Sequence, residues 1–88
     1  MNDESIRTFC IKTQEMVSLL EDCKSLRKKI KVYLNNGETI IGFLKDYSLV
    51  RRIYYYDIEV PSELEIIVDG ELKKFKFEEF YSISNTNE

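Results

Sequence analysis

Residues 28–44 read KKIKVYLNNGETIIGFL, the spelling of a β-hairpin. Ile30, Val32 and Leu34 alternate with Lys29, Lys31 and Tyr33, the period-two pattern of a strand with one face buried. Asn36-Gly37 is the dipeptide best suited to the two positive φ angles of a type I′ turn. With those two as the turn residues, Asn35 faces Glu38, Leu34 faces Thr39, Val32 faces Ile41 and Ile30 faces Phe43. The expectation is an apolar ladder of Ile30, Val32, Leu34, Ile41 and Phe43 on one face. Gly42 then falls mid-strand, where a glycine marks a sharp bend or a close backbone approach.

These residues resemble the first motif of the Sm-like proteins. That motif has alternating apolar residues, a turn ending in Gly, an apolar pair, a second Gly and an apolar residue. Here they are Ile30, Val32, Leu34, Gly37, Ile40, Ile41, Gly42 and Leu44. In that family the second strand bends at this glycine, and a five-stranded sheet curls into a small barrel behind an N-terminal helix. The resemblance implies an α+β, mainly β, fold of one domain over residues 1–84. A helix over about 3–24 would precede a strongly bent five-stranded antiparallel barrel, Sm-like or more broadly SH3-like, over about 28–84. Residues 85–88 would be a frayed tail. Sm-like barrels commonly form rings by pairing exposed strands, so a homo-oligomer is implied, with 53–60 and 75–83 as the candidate edges. RNA-binding members close the first motif with an aromatic-Asp pair and a following Asn that help hold a base. This chain has Tyr47-Ser48 at the pair and Arg51 or Arg52 near the Asn, so the aromatic is kept and the Asp and Asn are not. Where those members carry an Arg-Gly or similar dipeptide, Phe77-Glu78-Glu79 stands here, and two acids repel a phosphate.

The bulk properties narrow the function classes. The chain has 88 residues, 43% hydrophobic and 33% charged, which suits one soluble domain. No apolar run approaches the roughly 20 residues that span a bilayer, and no signal-peptide pattern opens the sequence. A cytoplasmic protein without a membrane partner is expected. Sixteen acids against thirteen bases give a net charge of −3, which weighs against a dedicated nucleic-acid binder. There is no histidine, hence no imidazole to act as base or metal ligand, and no metal-ligand spacing around the two cysteines. If Cys10 and Cys23 share one helix, its rise places them about 20 Å apart, while a disulfide needs Cα atoms within about 7 Å. Two buried, reduced thiols are expected. No G-x-S-x-G, P-loop or G-x-G-x-x-G element occurs. The chain therefore reads as no enzyme, with no cofactor.

Ile6, Phe9, Cys10, Thr13, Met16, Val17, Leu20 and Cys23 recur at helical spacing and form one stripe, with Asn2 or Asp3 as the cap. Residues 24–31, KSLRKKIK, hold five bases with no interleaved aromatic for stacking, and read as a solvated junction. Residues 53–60, IYYYDIEV, read as a strand ended by Pro61. Tyr54, Tyr56, Ile58 and Val60 share one of its faces. A second hairpin follows around Asp69-Gly70, with Ile67 opposite Leu72 and Leu64 opposite Phe75. Phe80 and Ile83 supply the closing apolar pair.

Three functional readings follow. The first is a non-enzymatic interaction module, a regulatory subunit or small inhibitor, acting through a protein partner or self-assembly. The second is an RNA-binding Sm-like riboregulator, disfavoured by the charge and by the missing motif residues. The third is a small-ligand or nucleotide binder. The candidate partner or nucleic-acid surface is Lys28, Lys29, Arg51, Arg52, Lys73 and Lys74. The candidate ligand or interface face is Tyr54 and Tyr56, and the structural glycines are Gly37, Gly42 and Gly70.

Overall fold

The computed structural model describes residues 3–53 and 57–86. Helix α1 (Asp3–Leu26) leads into strands β1 (Lys29–Leu34), β2 (Thr39–Ile53), β3 (Asp57–Val68), β4 (Glu71–Lys76) and β5 (Phe80–Asn85), with a 3-10 turn (Phe77–Glu79) between β4 and β5. All pairings are antiparallel, and the order across the sheet is β4-β3-β2-β1-β5. The sheet is open: β4 and β5 stand at its two ends, and the closed barrel of the sequence reading is not formed. The expected cap at Asn2 or Asp3 involves side chains outside those described, as do Tyr54 and Tyr56.

The helix buries the expected stripe. Cys10, Thr13, Leu20 and Cys23 are buried, and the Thr13 hydroxyl donates to the Phe9 carbonyl at 2.8 Å. At the C-terminal end Arg27 takes a left-handed φ of 53°, and the Lys28 N–H donates to the Cys23 carbonyl at 3.0 Å. This six-to-one bond is the Schellman closure, made here with an arginine where glycine is usual.

The first hairpin departs from expectation by one residue. The loop is Asn35-Asn36-Gly37: the Leu34 N–H donates to the Glu38 carbonyl, and the Gly37 N–H donates back to the Leu34 carbonyl. Only Gly37 in this loop has a positive φ, at 94°, the pattern of a three-residue loop with a bulge rather than a two-residue type I′ turn. Asn35 is held elsewhere, its backbone N–H on the Glu79 carbonyl and its side-chain amide on the Glu78 carbonyl. Tyr33 therefore pairs with Thr39, Val32 with Ile40 and Ile30 with Gly42. A one-residue shift reverses the faces. Ile30, Val32, Leu34 and Leu44 are buried, while Ile41 and Phe43 are exposed.

The second hairpin forms as read. Asp69 (φ 51°) and Gly70 (φ 82°) make the two positive-φ positions, with Ile67 opposite Leu72 and Leu64 opposite Phe75. Two other boundaries are corrected. Residues 53–60 are not one strand, because β2 ends at Ile53 and β3 starts at Asp57. Pro61 does not stop β3. It lies fully buried opposite Leu49, where the register shifts between Ser48 and Leu49, and such an irregularity accommodates a residue that cannot donate. Asn85 is no frayed tail either: it pairs with Ile30 and accepts the Cys23 thiol at 3.3 Å.

The core lies between α1 and the inner face of the sheet. Leu20 and Cys23 meet Ile30, Val32, Leu64, Ile66 and Phe80. A second cluster joins Cys10 to Ile58 and Val60. It lies beneath an arm, because β1 reaches only Thr39–Phe43 of β2 and β4 only Glu63–Val68 of β3. The remainder of the β2–β3 hairpin continues as two strands covered by the first half of the helix. Gly42 stands where the β3 backbone leaves no room for a side chain on β2. A Cβ there would overlap the Ile67 carbonyl and lie 2.8 Å from Ile66 Cγ2.

Candidate functional site

The six candidate cations do not form one surface. Lys28 and Lys29 lie at the helix-to-strand junction and the start of β1, Lys73 and Lys74 on β4. Two strands intervene, a span of about 14 Å at the usual strand spacing. Arg51 and Arg52 lie near the end of the arm. Arg51 is engaged by Asp57, with its Nε donating to Oδ1 at 2.8 Å and its Nη2 on Oδ2. That pairing holds the Asp57 carboxyl below its ordinary range. Among the proposed structural glycines, Gly37 and Gly70 serve their turns through positive φ, and Gly42 through the close approach to β3.

The register brings together residues that sequence reasoning placed apart or in the core. Lys29 pairs with Phe43, Phe43 with Ile67 and Ile67 with Leu72, one row across four strands. Side chains directly opposed across a ladder share a face. Ile41, two residues from Phe43 on the same strand, joins them. Ile41 is 45% exposed, Phe43 46%, Ile67 36% and Leu72 45%. Isolated exposed apolar residues are ordinary, whereas these four are contiguous and form one apolar patch. Lys29 extends along this row, its Nζ 5.5 Å from the Phe43 ring centroid.

Beside Phe43 the end of α1 meets β2 and forms a surface pocket of about 490 Å³ lined by Lys24, Arg27, Phe43, Leu44 and Lys45. Lys24 is committed to Asp46 at 2.7 Å and lies over the Tyr47 ring at 5.6 Å. This contact holds the Asp46 carboxyl below its ordinary range and raises the Lys24 ammonium. Arg27, Lys29 and Lys45 have no ion pair among the described residues. The pocket is thus a cationic recess with an aromatic wall.

The cysteines offer no second centre. Both are free and buried, and burial, then Asp22, pushes the Cys23 thiol up, away from the thiolate that a nucleophile needs. Among the described residues no group of His, Cys, Asp and Glu could hold a metal ion, and no helix is long and apolar enough to cross a membrane.

The edges differ in kind. Strand β4 carries Glu71, Lys73, Lys74 and Lys76, a charged edge that discourages pairing. Strand β5, FYSISN, has no charged side chain and an exposed Tyr81. The expected edge 75–83 therefore straddles both real edges. The expected edge at 53–60 survives only from Asp57 to Ser62, where β3 has β2 on one side and no β4 on the other. The outer apolar face was readable only through the loop: had Asn35 been taken as a loop residue, Ile41 and Phe43 would have turned outward.

No protein-family model matches the chain, and no curated protein matches it.

Proposed function

We propose that this chain is a non-enzymatic interaction module that binds a protein partner through the outer face of its sheet. The observation that carries this reading is the contiguous apolar row of Phe43, Ile67 and Leu72 with Ile41 beside it, exposed on a face that the helix does not cover. Burying such a face is favourable by about 25 cal/mol per Å² of apolar area before the costs of association are met. A regulatory subunit or small inhibitor fits a chain whose described residues present this exposed apolar face. The antiparallel strand order and the leading helix agree with a bent, Sm-like or SH3-like sheet, and the close approach at Gly42 agrees with the bend that the resemblance implies. A cytoplasmic location suits two free thiols.

Self-assembly is the second arm of this reading, carried by β5, whose uncharged open edge can accept another strand. RNA binding has less support, because the cations read for it are dispersed and Arg51 is neutralised by Asp57.

A pull-down from the native host with three baits tests the reading: the parent chain, Phe43→Ser and Arg52→Ser. A stoichiometric protein retained by Arg52→Ser and lost with Phe43→Ser is expected. Capture of RNA, lost with Arg52→Ser and kept with Phe43→Ser, would replace the interaction module with the riboregulator.

A further inference from the structure

We infer that the segment bound by this face carries acidic side chains next to its apolar anchors, and that the Lys24–Arg27–Phe43–Lys45 pocket receives an acid. The inference rests on the interaction reading above and adds the partner's chemistry. Its first support is charge. Around Phe43 stand Arg27, Lys29 and Lys45, three cations without an ion pair among the described residues. Asp46, which follows Lys45 in β2, is already held by Lys24 at 2.7 Å. A carboxylate entering the pocket would meet uncompensated positive charge beside a ring that excludes water from one wall, where electrostatic complementarity confers specificity.

The second support is the backbone of Arg27. It occupies the left-handed position that ends α1, with φ 53°. Glycine is the residue that this position favours. An arginine there is strained, and what it adds is a guanidinium lining the pocket, the group best formed to grip a carboxylate with two parallel hydrogen bonds.

The third support distinguishes an acidic peptide from a nucleic-acid strand. From the pocket, the exposed row runs through Ile67 to Leu72, aliphatic side chains that cannot stack bases. Beyond them Glu65 stands opposite Lys74, a pair of opposite charges that offers a continuing phosphate backbone no net attraction. A polypeptide can change from acidic to apolar along its length, and a nucleic acid cannot shed its charge. The partner expected is therefore a segment with Leu, Ile or Phe seated on Phe43 and Ile67, and an Asp or Glu a few residues away in the pocket.

Selection of a random 12-residue peptide library displayed on phage, with the full chain immobilised, tests this. Fluorescence anisotropy of the enriched peptides follows, with the parent chain, Phe43→Ser, Arg27→Gly and Lys45→Ser. Arg27→Gly removes the guanidinium while suiting the left-handed backbone, so a loss of binding cannot be assigned to misfolding. Enriched peptides are expected to contain acids beside apolar residues, and to lose affinity about tenfold with Phe43→Ser and several-fold with Arg27→Gly and with Lys45→Ser. Affinity should also fall as salt is raised. Enriched peptides that need Phe43 but contain no acids, or that ignore Arg27→Gly and Lys45→Ser, would overturn the acidic-partner inference and leave the interaction face standing. No peptide dependent on Phe43 would overturn both. A single-stranded 12-nucleotide RNA that displaces the enriched peptide at a lower concentration than the peptide itself requires would overturn the inference in favour of nucleic acid.

Discussion

Gly42→Ala adds one methyl group where β3 leaves no room for it, and its effect can be worked from the contacts. The new Cβ would overlap the Ile67 carbonyl oxygen and stand 2.8 Å from Ile66 Cγ2, well inside van der Waals contact. Neither neighbour yields easily: Ile66 is fully buried, and Ile67 lies in β3, hydrogen-bonded in the sheet between β2 and β4. Overpacking of this kind costs about 1–3 kcal/mol. Parting the two strands at this rung would weaken a ladder hydrogen bond worth about 1 kcal/mol. Against this, alanine restricts the unfolded chain and returns about 0.4–1 kcal/mol. The net expectation is a loss of about 1–3.5 kcal/mol, against the roughly 4–13 kcal/mol that a chain of this length commands. The melting temperature should fall by roughly 4–28 °C. Urea unfolding followed by circular dichroism reads the change directly, with the parent's m-value as a check that the same surface is exposed. A Gly42→Ala unfolding free energy within about 0.5 kcal/mol of the parent's would refute the close approach, since surface substitutions lie in that range.

Arg27→Gly should leave stability unchanged or raise it by up to about 1 kcal/mol in the same assay, because relief of left-handed strain outweighs added unfolded-state freedom. Asp46→Asn and Asp57→Asn test the two ion pairs by pH. Each carboxyl is depressed from an ordinary value of 3.8 by its hydrogen-bonded cation, so its contribution is complete above that value and is lost as pH falls through the lower folded value. The urea midpoints of both variants should therefore lie below the parent's at pH 6 and converge with it in more acidic buffer. A gap that widened on acidification would contradict the assignment. Light scattering at rising concentration should show association that Tyr81→Lys abolishes by charging the β5 edge; association untouched by that change would move the self-contact elsewhere.

The sequence announced the elements whose determinants are local. The helix stripe from Ile6 to Cys23 needs only a 3.6-residue period, and Asp69-Gly70 needs only two residues able to take positive φ. The first hairpin was misread by one residue because Asn36, unlike Asp69, does not take positive φ. What sets that loop is distant in sequence: the carbonyls of Glu78 and Glu79 hold Asn35 outside the strand pairing. Pro61 was misread for a similar reason, since its tolerance depends on the register shift at Ser48 and Leu49 of the opposite strand. The barrel expectation failed at closure, where β4 and β5 would have to pair. Part of the cationic pocket lies in the basic run of residues 24–31, which by itself reads as a solvated junction. Lys24 and Arg27 end the helix while Phe43 and Lys45 belong to β2, and only the fold joins them.

Thiol labelling at positions 43 and 44, alone and with a saturating enriched peptide, bears most directly on the outer face as the docking surface. The parent's two cysteines are buried and contribute a low background. In Phe43→Cys the new thiol should react rapidly in the free chain and become protected about tenfold or more on binding, whereas in Leu44→Cys it should react slowly in both, since Phe43 is exposed and Leu44 buried. Rapid labelling at 44 with slow labelling at 43 would contradict the register that creates the face, and a thiol at 43 left unprotected by bound peptide would contradict its role as the docking surface.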